Sequence, residues 1–188
     1  MKLFIKHMVS NRCKIVVKEI LQKMNLHFVL VDLGEIDIME NLTPQQRELL
    51  KNELLESGLD LMDDKKAILI EKIKTIIIQM IHFSEEDIKI NFSTYLSDKL
   101  HQNYNYLANL FSEVQGITIE RFIINHKVEK IKELMIYDEI TITEIAYRMN
   151  YSSAAHLSTQ FKKVTGLSPS KFRQLKEKSR KPLDEIAN

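Results

Sequence analysis

Apolar residues recur at helical spacing near the end of the chain, in two short runs separated by a polar Asn-Tyr-Ser break. The pattern predicts helices over 143–149 and 153–165. Ser152 or Ser153 can cap the second helix at its start, and Gly166 can end it. Two short helices joined by a tight turn are typical of a helix-turn-helix unit, and a plain helical hairpin has the same spacing. The residues predicted to be buried are Ile145, Ala146, Met149, Leu157, Phe161 and Val164.

The same pattern occurs once earlier in the chain. Residues 107–122 align with residues 157–172 at an offset of 50. Upstream of the turn the offset becomes 49, which predicts that the second turn is one residue longer. Two tandem units are much less expected by chance than one, so the repeat favours the helix-turn-helix over the plain hairpin. The identical pairs are Leu107/Leu157, Phe111/Phe161, Val114/Val164, Gly116/Gly166 and Phe122/Phe172.

The charge distribution points in the same direction. The whole chain has a net charge of +1, with 27 Lys and Arg against 26 Asp and Glu. Between residues 141 and 181, however, nine basic residues face only Glu144 and Glu177, which gives a local charge of +7. A solvated surface usually mixes both signs, whereas a one-sided basic cluster is what a phosphate backbone attracts.

Residues 92–176 resemble the AraC/XylS-type DNA-binding domain. The resemblance is carried by the run EIAYRMNYSSAAHLSTQFKKVTGLSPSKFR, by its degenerate first copy and by the apolar helix predicted over 119–137 between them. It covers nearly half of the chain and implies an all-α domain with two helix-turn-helix units bridged by a linker helix. Both recognition helices would enter successive major-groove segments on one face of double-stranded DNA. The implied function is sequence-specific transcriptional regulation, with RNA polymerase as a further candidate partner.

Candidate base contacts are the recognition-helix residues that the core does not need. Six of them match base-contact positions of the family: Asn105, Ala108, Asn109, His156, Ser158 and Thr159. The candidates without that match are Tyr104, Ala154 and Ala155. Family members often carry arginine where this chain has Asn109 and Thr159, which argues against strong guanine readout. For every candidate the alternative is an exposed helix residue without a contact.

Candidate phosphate contacts are basic residues on or near the same helices. The second recognition helix ends in Lys162 and Lys163, where the first has Ser112 and Glu113. The second unit is therefore expected to contribute more of the binding. The full set of phosphate candidates is Lys127, Arg148, Lys162, Lys163, Lys171 and Arg173.

Residues 1–63 alternate between short strand and helix patterns in the order βαββαβ, which predicts an α+β ferredoxin-like domain. With Met8 after the first strand, this region resembles heavy-metal-associated domains, which carry Cys-x-x-Cys in that loop. Here Ser10 occupies the first cysteine position and only Cys13 remains. A hydroxyl is a poor ligand for soft Cu(I), so no bound metal is expected. The loop is then a vestigial metal site or a redox site, and the domain a regulatory or oligomerisation module.

Residues 64–85 predict a helix that is apolar around much of its surface. Leu69, Ile73, Ile76 and Met80 repeat at 4-3-4 spacing. This pattern favours a dimerisation helix, and burial between two domains of one chain is the alternative. The predicted organisation is a ferredoxin-like domain, this linker or dimerisation helix, an AraC-type DNA-binding domain and a tail. Their respective ranges are 1–63, 64–85, 86–180 and 181–188.

Several other classes of protein are disfavoured. No apolar run reaches the roughly 18 residues that a membrane span needs, and the N-terminus lacks a signal-peptide pattern. The single cysteine suits the reducing cytoplasm. There is no phosphate-binding glycine loop, catalytic triad or zinc-protease motif, so neither catalysis nor a cofactor is expected. The alternative function is a metal- or redox-responsive adaptor, or a metallochaperone-like protein, in which DNA binding is secondary.

Overall fold

The structure is a computed structural model that describes residues 1–84, 91–137, 140–175, 180–183 and 185–186. The contacts among its residues divide the chain into two compact units, Met1–Ile76 and Ile77–Asn188. The predicted start of the DNA-binding domain at residue 86 lies outside the described residues. So do residues 176–179, which contribute three of the charges counted in the basic cluster.

The first unit contains a four-stranded antiparallel sheet with the strand order β2-β3-β1-β4. Within β1, Leu3 pairs with Ile36 and Ile5 pairs with Leu61. Because side chains alternate along a strand, Leu3 and Ile5 point to the same face, where they are buried among apolar residues of the two helices. The elements are β1 (Lys2–Lys6), α1 (Asn11–Lys23), β2 (Phe28–Asp32), β3 (Glu35–Ile38), α2 (Pro44–Glu56) and β4 (Asp60–Met62).

Helix α3 (Lys65–Ile78) contacts the other face of this sheet at Phe4. The Lys72 ammonium lies 4.5 Å from the ring centroid of Phe4, a residue that alternates with Leu3 and Ile5. Ile73 is completely buried. The first unit extends to Ile76, beyond residue 63, where the sequence predicts the domain to end.

The second unit contains six α-helices among its described residues. Helices α4 and α5 form the first helix-turn-helix, and helices α7 and α8 form the second helix-turn-helix. Helix α6 joins the two, and α9 follows. A π-helical turn, Gln79–Phe83, continues α3 at the start of this second unit. The bounds are α4 (Phe92–Leu100), α5 (Tyr104–Gln115), α6 (Ile119–Tyr137), α7 (Ile142–Arg148), α8 (Ala154–Thr165) and α9 (Pro169–Gln174).

The repeat predicted from the sequence is present in three dimensions. Phe111 packs edge-to-face on Phe122 with ring centroids 5.4 Å apart, and Phe161 packs on Phe172 in the same way at 5.6 Å. Val164, which the sequence predicts to be buried, is only half-buried, and its counterpart Val114 in the first helix-turn-helix is 49% exposed. The aromatic residues rather than the valines therefore define the repeated core.

The difference in turn length is also confirmed. His101 and Asn150 adopt left-handed backbone conformations, with φ of 51° and 54°, and they are separated by the offset of 49. The N-caps that follow, Asn103 and Ser153, are separated by the offset of 50. The second turn thus has one additional residue between its left-handed position and its cap.

Both recognition helices end at a glycine in the left-handed conformation. Gly116 has φ of 70° and Gly166 has φ of 78°. A Cβ atom built on either glycine would meet no atom within 4 Å. Glycine is therefore required by the backbone conformation and not by lack of space.

The described part of the C-terminal tail packs on α6. Arg180 donates to Glu133 at 2.6 Å, the Lys181 backbone N–H donates to Glu129 at 3.1 Å, and Ile186 is buried. The predicted separate tail is thus partly integrated into the second unit. Acidic residues of α6 also neutralise part of the basic cluster counted from the sequence. None of the helices in the described ranges is both long and apolar enough to cross a membrane.

Candidate nucleic-acid interface

Helix α8 presents the candidate reading surface of the second helix-turn-helix. Its start is fixed by Ser153, whose hydroxyl oxygen accepts the His156 backbone N–H at 3.1 Å. The His156 ring stands edge-on to the ring of Tyr151, with centroids 5.2 Å apart, and its Nδ1 lies 3.0 Å from the Ser152 hydroxyl. His156 is exposed, so its ring can reach a partner outside the protein.

The predicted base-contact positions of α8 differ in exposure. Ala155, His156 and Thr159 are exposed, whereas Ala154 and Ser158 are half-buried. The hydroxyls of Ser158 and Thr159 donate to backbone carbonyls one turn earlier, at 2.8 and 3.0 Å. Thr159 therefore offers an exposed methyl group and an acceptor oxygen, and its hydroxyl proton is already engaged.

Helix α5 presents the equivalent surface of the first helix-turn-helix, and this surface carries amide side chains. Asn105 and Asn109 are exposed, and Ala108 is half-buried. Asn103 caps the helix by accepting the Asn105 backbone N–H at 2.9 Å. A free amide has one acceptor and two donors, which match the N7 and N6 groups of adenine in the major groove.

Tyr104, the first residue of α5, is engaged inside the protein. Its hydroxyl donates to Glu120 Oε1 at 2.5 Å. Burial raises the pKa of Tyr104, and the hydrogen bond to Glu120 raises it further. The same hydrogen bond lowers the pKa of Glu120. The structure thus gives Tyr104 an internal contact where the sequence predicted a base contact.

The predicted phosphate contacts fall into two groups. Arg148, Lys162, Lys163 and Lys171 are exposed on the surface of the second helix-turn-helix and α9. Arg173 is half-buried and donates to the Ile140 carbonyl, because α9 packs close to the start of the segment that leads into α7. The exposed group remains suited to phosphate, whereas the arginine has a structural contact.

Lys127 belongs with the internal contacts as well. Its Nζ donates to the Met149 carbonyl at 2.7 Å and lies 5.2 Å from the ring centroid of Tyr151. Burial lowers the pKa of Lys127 to about 8. The sequence gives no signal for this internal contact. Several lysines decorate α6, and their spacing does not indicate which of them faces a neighbouring helix.

Sequence reasoning missed three residues that organise this surface. Tyr151 donates from its hydroxyl to Gln160 Oε1 at 2.5 Å, and burial raises the pKa of this tyrosine to about 12. Glu120 holds Tyr104. An aromatic residue inside a short turn was the available signal for Tyr151, since a turn exposed to solvent seldom needs one.

The loop after β1 holds Ser10 and Cys13 close together. Their side chains lie 3.4 Å apart, and the thiol also lies 3.8 Å from the His7 carbonyl. In the part of the chain that the structure describes, no group of three or more His, Cys, Asp or Glu side chains is placed to hold a metal ion.

Comparison with known proteins agrees with the geometry of the second unit. Residues 96–175 match the family model described as "Helix-turn-helix domain". The C-terminal domain of AraT, a response regulator from Geobacillus stearothermophilus, has the same fold, with a TM-score of 0.51 and 26% identity over 62% of this chain and 92% of that chain. This region is an AraC-type helix-turn-helix domain.

Two curated relatives from Bacillus subtilis (strain 168) place the AraC-type domain in regulatory proteins. The uncharacterized HTH-type transcriptional regulator YtdP is 24% identical over 161 residues, which cover 80% of this chain and 20% of that protein. The bifunctional transcriptional activator and DNA repair enzyme AdaA is 31% identical over 80 residues, covering 43% of this chain and 38% of that protein. The chain therefore spans well under half the length of these relatives.

Proposed function

We propose that this chain is a sequence-specific DNA-binding transcriptional regulator of the AraC type. The observation that carries the proposal is the exposed face of α8, where Thr159 and His156 lie next to Lys162 and Lys163. Polar groups at the start of such a helix can reach base edges, and the adjacent cations can bind phosphates. The proposed location is the cytoplasm, where bacterial relatives of this kind would meet DNA.

Both recognition helices are proposed to enter successive major-groove segments. Helix α6, which joins the two helix-turn-helix copies, has 19 residues and is therefore about 28 Å long. Successive major grooves on one face recur about every 34 Å, so the linker has a suitable length. Asn105 and Asn109 are proposed to read adenine, and the Thr159 methyl to pack on thymine.

The proposal predicts different effects for two neighbouring substitutions on α8. Lys162→Ala should weaken binding to all duplexes and lower the slope of log affinity against log salt by about one unit, because one phosphate contact is lost. Thr159→Ala should instead change the preference at one or two base pairs, at about 1–3 kcal/mol. Both are measured by fluorescence anisotropy of the full chain on a site selected from a random duplex library, over a range of salt.

Two further variants complete this experiment. Lys51→Ala, an exposed lysine on α2, is the control and should leave affinity and salt slope unchanged. Asn109→Ala tests the proposal that the second helix-turn-helix contributes more of the binding than the first. This substitution should lose less affinity than Thr159→Ala. If the wild-type chain binds no duplex even at low salt, the regulator proposal is wrong.

For the first unit we propose a ferredoxin-like fold with a regulatory or oligomerising role. The strand order and the alternation of strands with two helices support it. A homodimer through α3 is also proposed, but through its half-buried residues Leu69 and Ile76, since Ile73 lies inside the core. RNA polymerase is a proposed further partner, and no catalytic role is proposed. The adaptor alternative is not favoured, because the loop after β1 supplies a single thiol.

Metal binding by the first unit should depend on restoring the second thiol. The wild-type chain is expected to bind Cu(I) more weakly than micromolar, because Ser10 offers a neutral hydroxyl where soft metals need a thiolate. Ser10→Cys should raise the affinity by orders of magnitude, because the two side chains already lie 3.4 Å apart. Competition with a chromophoric Cu(I) chelator under reducing conditions measures both. Submicromolar binding of one equivalent by the monomeric wild type would contradict this expectation.

A further inference from the structure

We propose that Glu120 and Lys127 of the linker helix α6 form a two-point clamp that sets the separation of the two recognition helices. The inference rests on the proposed DNA-binding function and deepens it. The two residues are seven positions apart, which places them on the same face of α6, two turns from each other. Glu120 contacts the first helix-turn-helix, and Lys127 donates a hydrogen bond to the turn of the second.

The first point of the clamp holds the start of α5. Glu120 accepts the hydrogen bond of Tyr104, the residue that immediately follows the N-cap Asn103. The tyrosine ring is half-buried beneath this contact. Because α5 begins here, the carboxylate of Glu120 fixes the end of the helix that would insert into the groove.

The second point holds the turn before α8. Met149 ends α7, and its carbonyl is one of the last carbonyls of that helix, which have no partner within the helix. The Lys127 ammonium donates to it at 2.7 Å, where the helix dipole also favours a cation. Lys127 further lies 5.2 Å from the ring centroid of Tyr151 and 5.9 Å from that of Phe92, at the start of α4.

Tyr151 transmits this contact to α8 itself. Its hydroxyl donates to Gln160, and its ring stands against His156. One lysine therefore contacts the turn, and through a single tyrosine it supports two residues of the second recognition helix. A cleft of about 490 Å³ lies beside Lys127. Residues of both helix-turn-helix copies line it, among them Tyr104 and His156.

The clamp assigns Lys127 a positioning role and distinguishes it from a phosphate contact. A phosphate contact contributes equally to every duplex and to the salt slope. A clamp contributes only to duplexes whose two half-sites have the matching spacing, and not to the salt slope. The two roles therefore predict different results on the same set of DNA molecules.

Lys127→Met, which keeps the length of the side chain and removes its charge, is the main test. On the selected site it should lose roughly tenfold in affinity, about the effect of one charged hydrogen bond, with the salt slope unchanged. The penalty for inserting or deleting one base pair between the half-sites should become smaller than for the wild type. Glu120→Gln, a milder change, should move the spacing penalty in the same direction. A reduced salt slope with an unchanged spacing penalty would overturn the proposal.

A measurement without DNA separates failure of the clamp from failure of the proposed function. Spin labels at Glu113→Cys and Lys163→Cys, in full chain carrying Cys13→Ser, report the distance between α5 and α8. Wild type should give one narrow distance, Lys127→Met a broadened one, and Arg121→Met, an exposed neighbour on α6, the wild-type distance. An unchanged distribution in both Lys127→Met and Glu120→Gln would overturn the clamp, whatever the DNA result. If Lys127→Met shows no helical circular dichroism signal, this variant has not folded. The distance distribution of Glu120→Gln is then the test of the clamp.

Discussion

Ile73→Glu is expected to unfold the first unit instead of dissociating a dimer. Ile73 lies on α3 and is 0% exposed. Removing its packing costs about 2–5 kcal/mol, as for other buried isoleucines. Burying a carboxylate adds a desolvation cost, which brings the expected loss to at least about 4 kcal/mol. Urea denaturation followed by circular dichroism measures the loss.

Ile76→Glu is the matched control, three residues further along the same helix. Ile76 is half-buried, so glutamate there can reach water and the fold should survive. If the protein is a dimer through the half-buried residues of α3, sedimentation should detect monomers of this variant. A stable, folded Ile73→Glu protein that sediments as a monomer would contradict the burial described for α3.

Phe161→Ala is expected to destabilise the second helix-turn-helix by about 3–5 kcal/mol and to abolish DNA binding. Phe161 is fully buried in α8 and packs edge-to-face on Phe172 of α9. Its loss removes both a large apolar side chain and an aromatic pair, which contributes about 0.5–1.5 kcal/mol beyond area burial. Thermal unfolding and anisotropy on the selected site measure the two effects.

The repeat supplies the matched comparisons for this prediction. Phe111→Ala should destabilise the first helix-turn-helix by a similar amount, because the pair of Phe111 with Phe122 has nearly the same geometry. Val114→Ala, on the same helix as Phe111, should change stability by no more than about 0.5 kcal/mol, since this valine is 49% exposed. If Val114→Ala costs as much as Phe111→Ala, the assignment of the repeated core to the aromatic residues is wrong.

Local features of this fold could be predicted because their causes lie within a few residues. Ser153 caps α8 and Gly166 ends it, as the sequence indicates, since a cap needs only its own side chain and the next turn. The additional residue in the second turn was visible as a change of offset between the copies. The strand and helix pattern of the first unit likewise depends on alternation along single segments.

Contacts between segments distant in sequence could not be predicted in the same way. The 4-3-4 spacing of α3 indicates an apolar face but not what covers it, and Ile73 is fully buried within the chain. Lys127 and Arg173 count as basic residues in the sequence, and yet both donate to backbone carbonyls. The charge of a side chain says little about its partner, because a backbone carbonyl accepts a hydrogen bond from a cation as a phosphate does. The sequence therefore indicates the exposure of residues on α5 and α8 better than it indicates the contacts around α6.

The two glycines that end the recognition helices carry a consequence for chirality. Gly116 and Gly166 have positive φ angles and open space around the position of a Cβ atom. An L-amino acid is strained in that backbone conformation, whereas its mirror image adopts it readily. In a domain made by chemical synthesis, D-alanine could therefore replace either glycine without a clash. It would also restrict the unfolded chain and so favour folding. The backbone at these two positions favours a D-residue, and glycine, which is achiral, adopts the same conformation without strain.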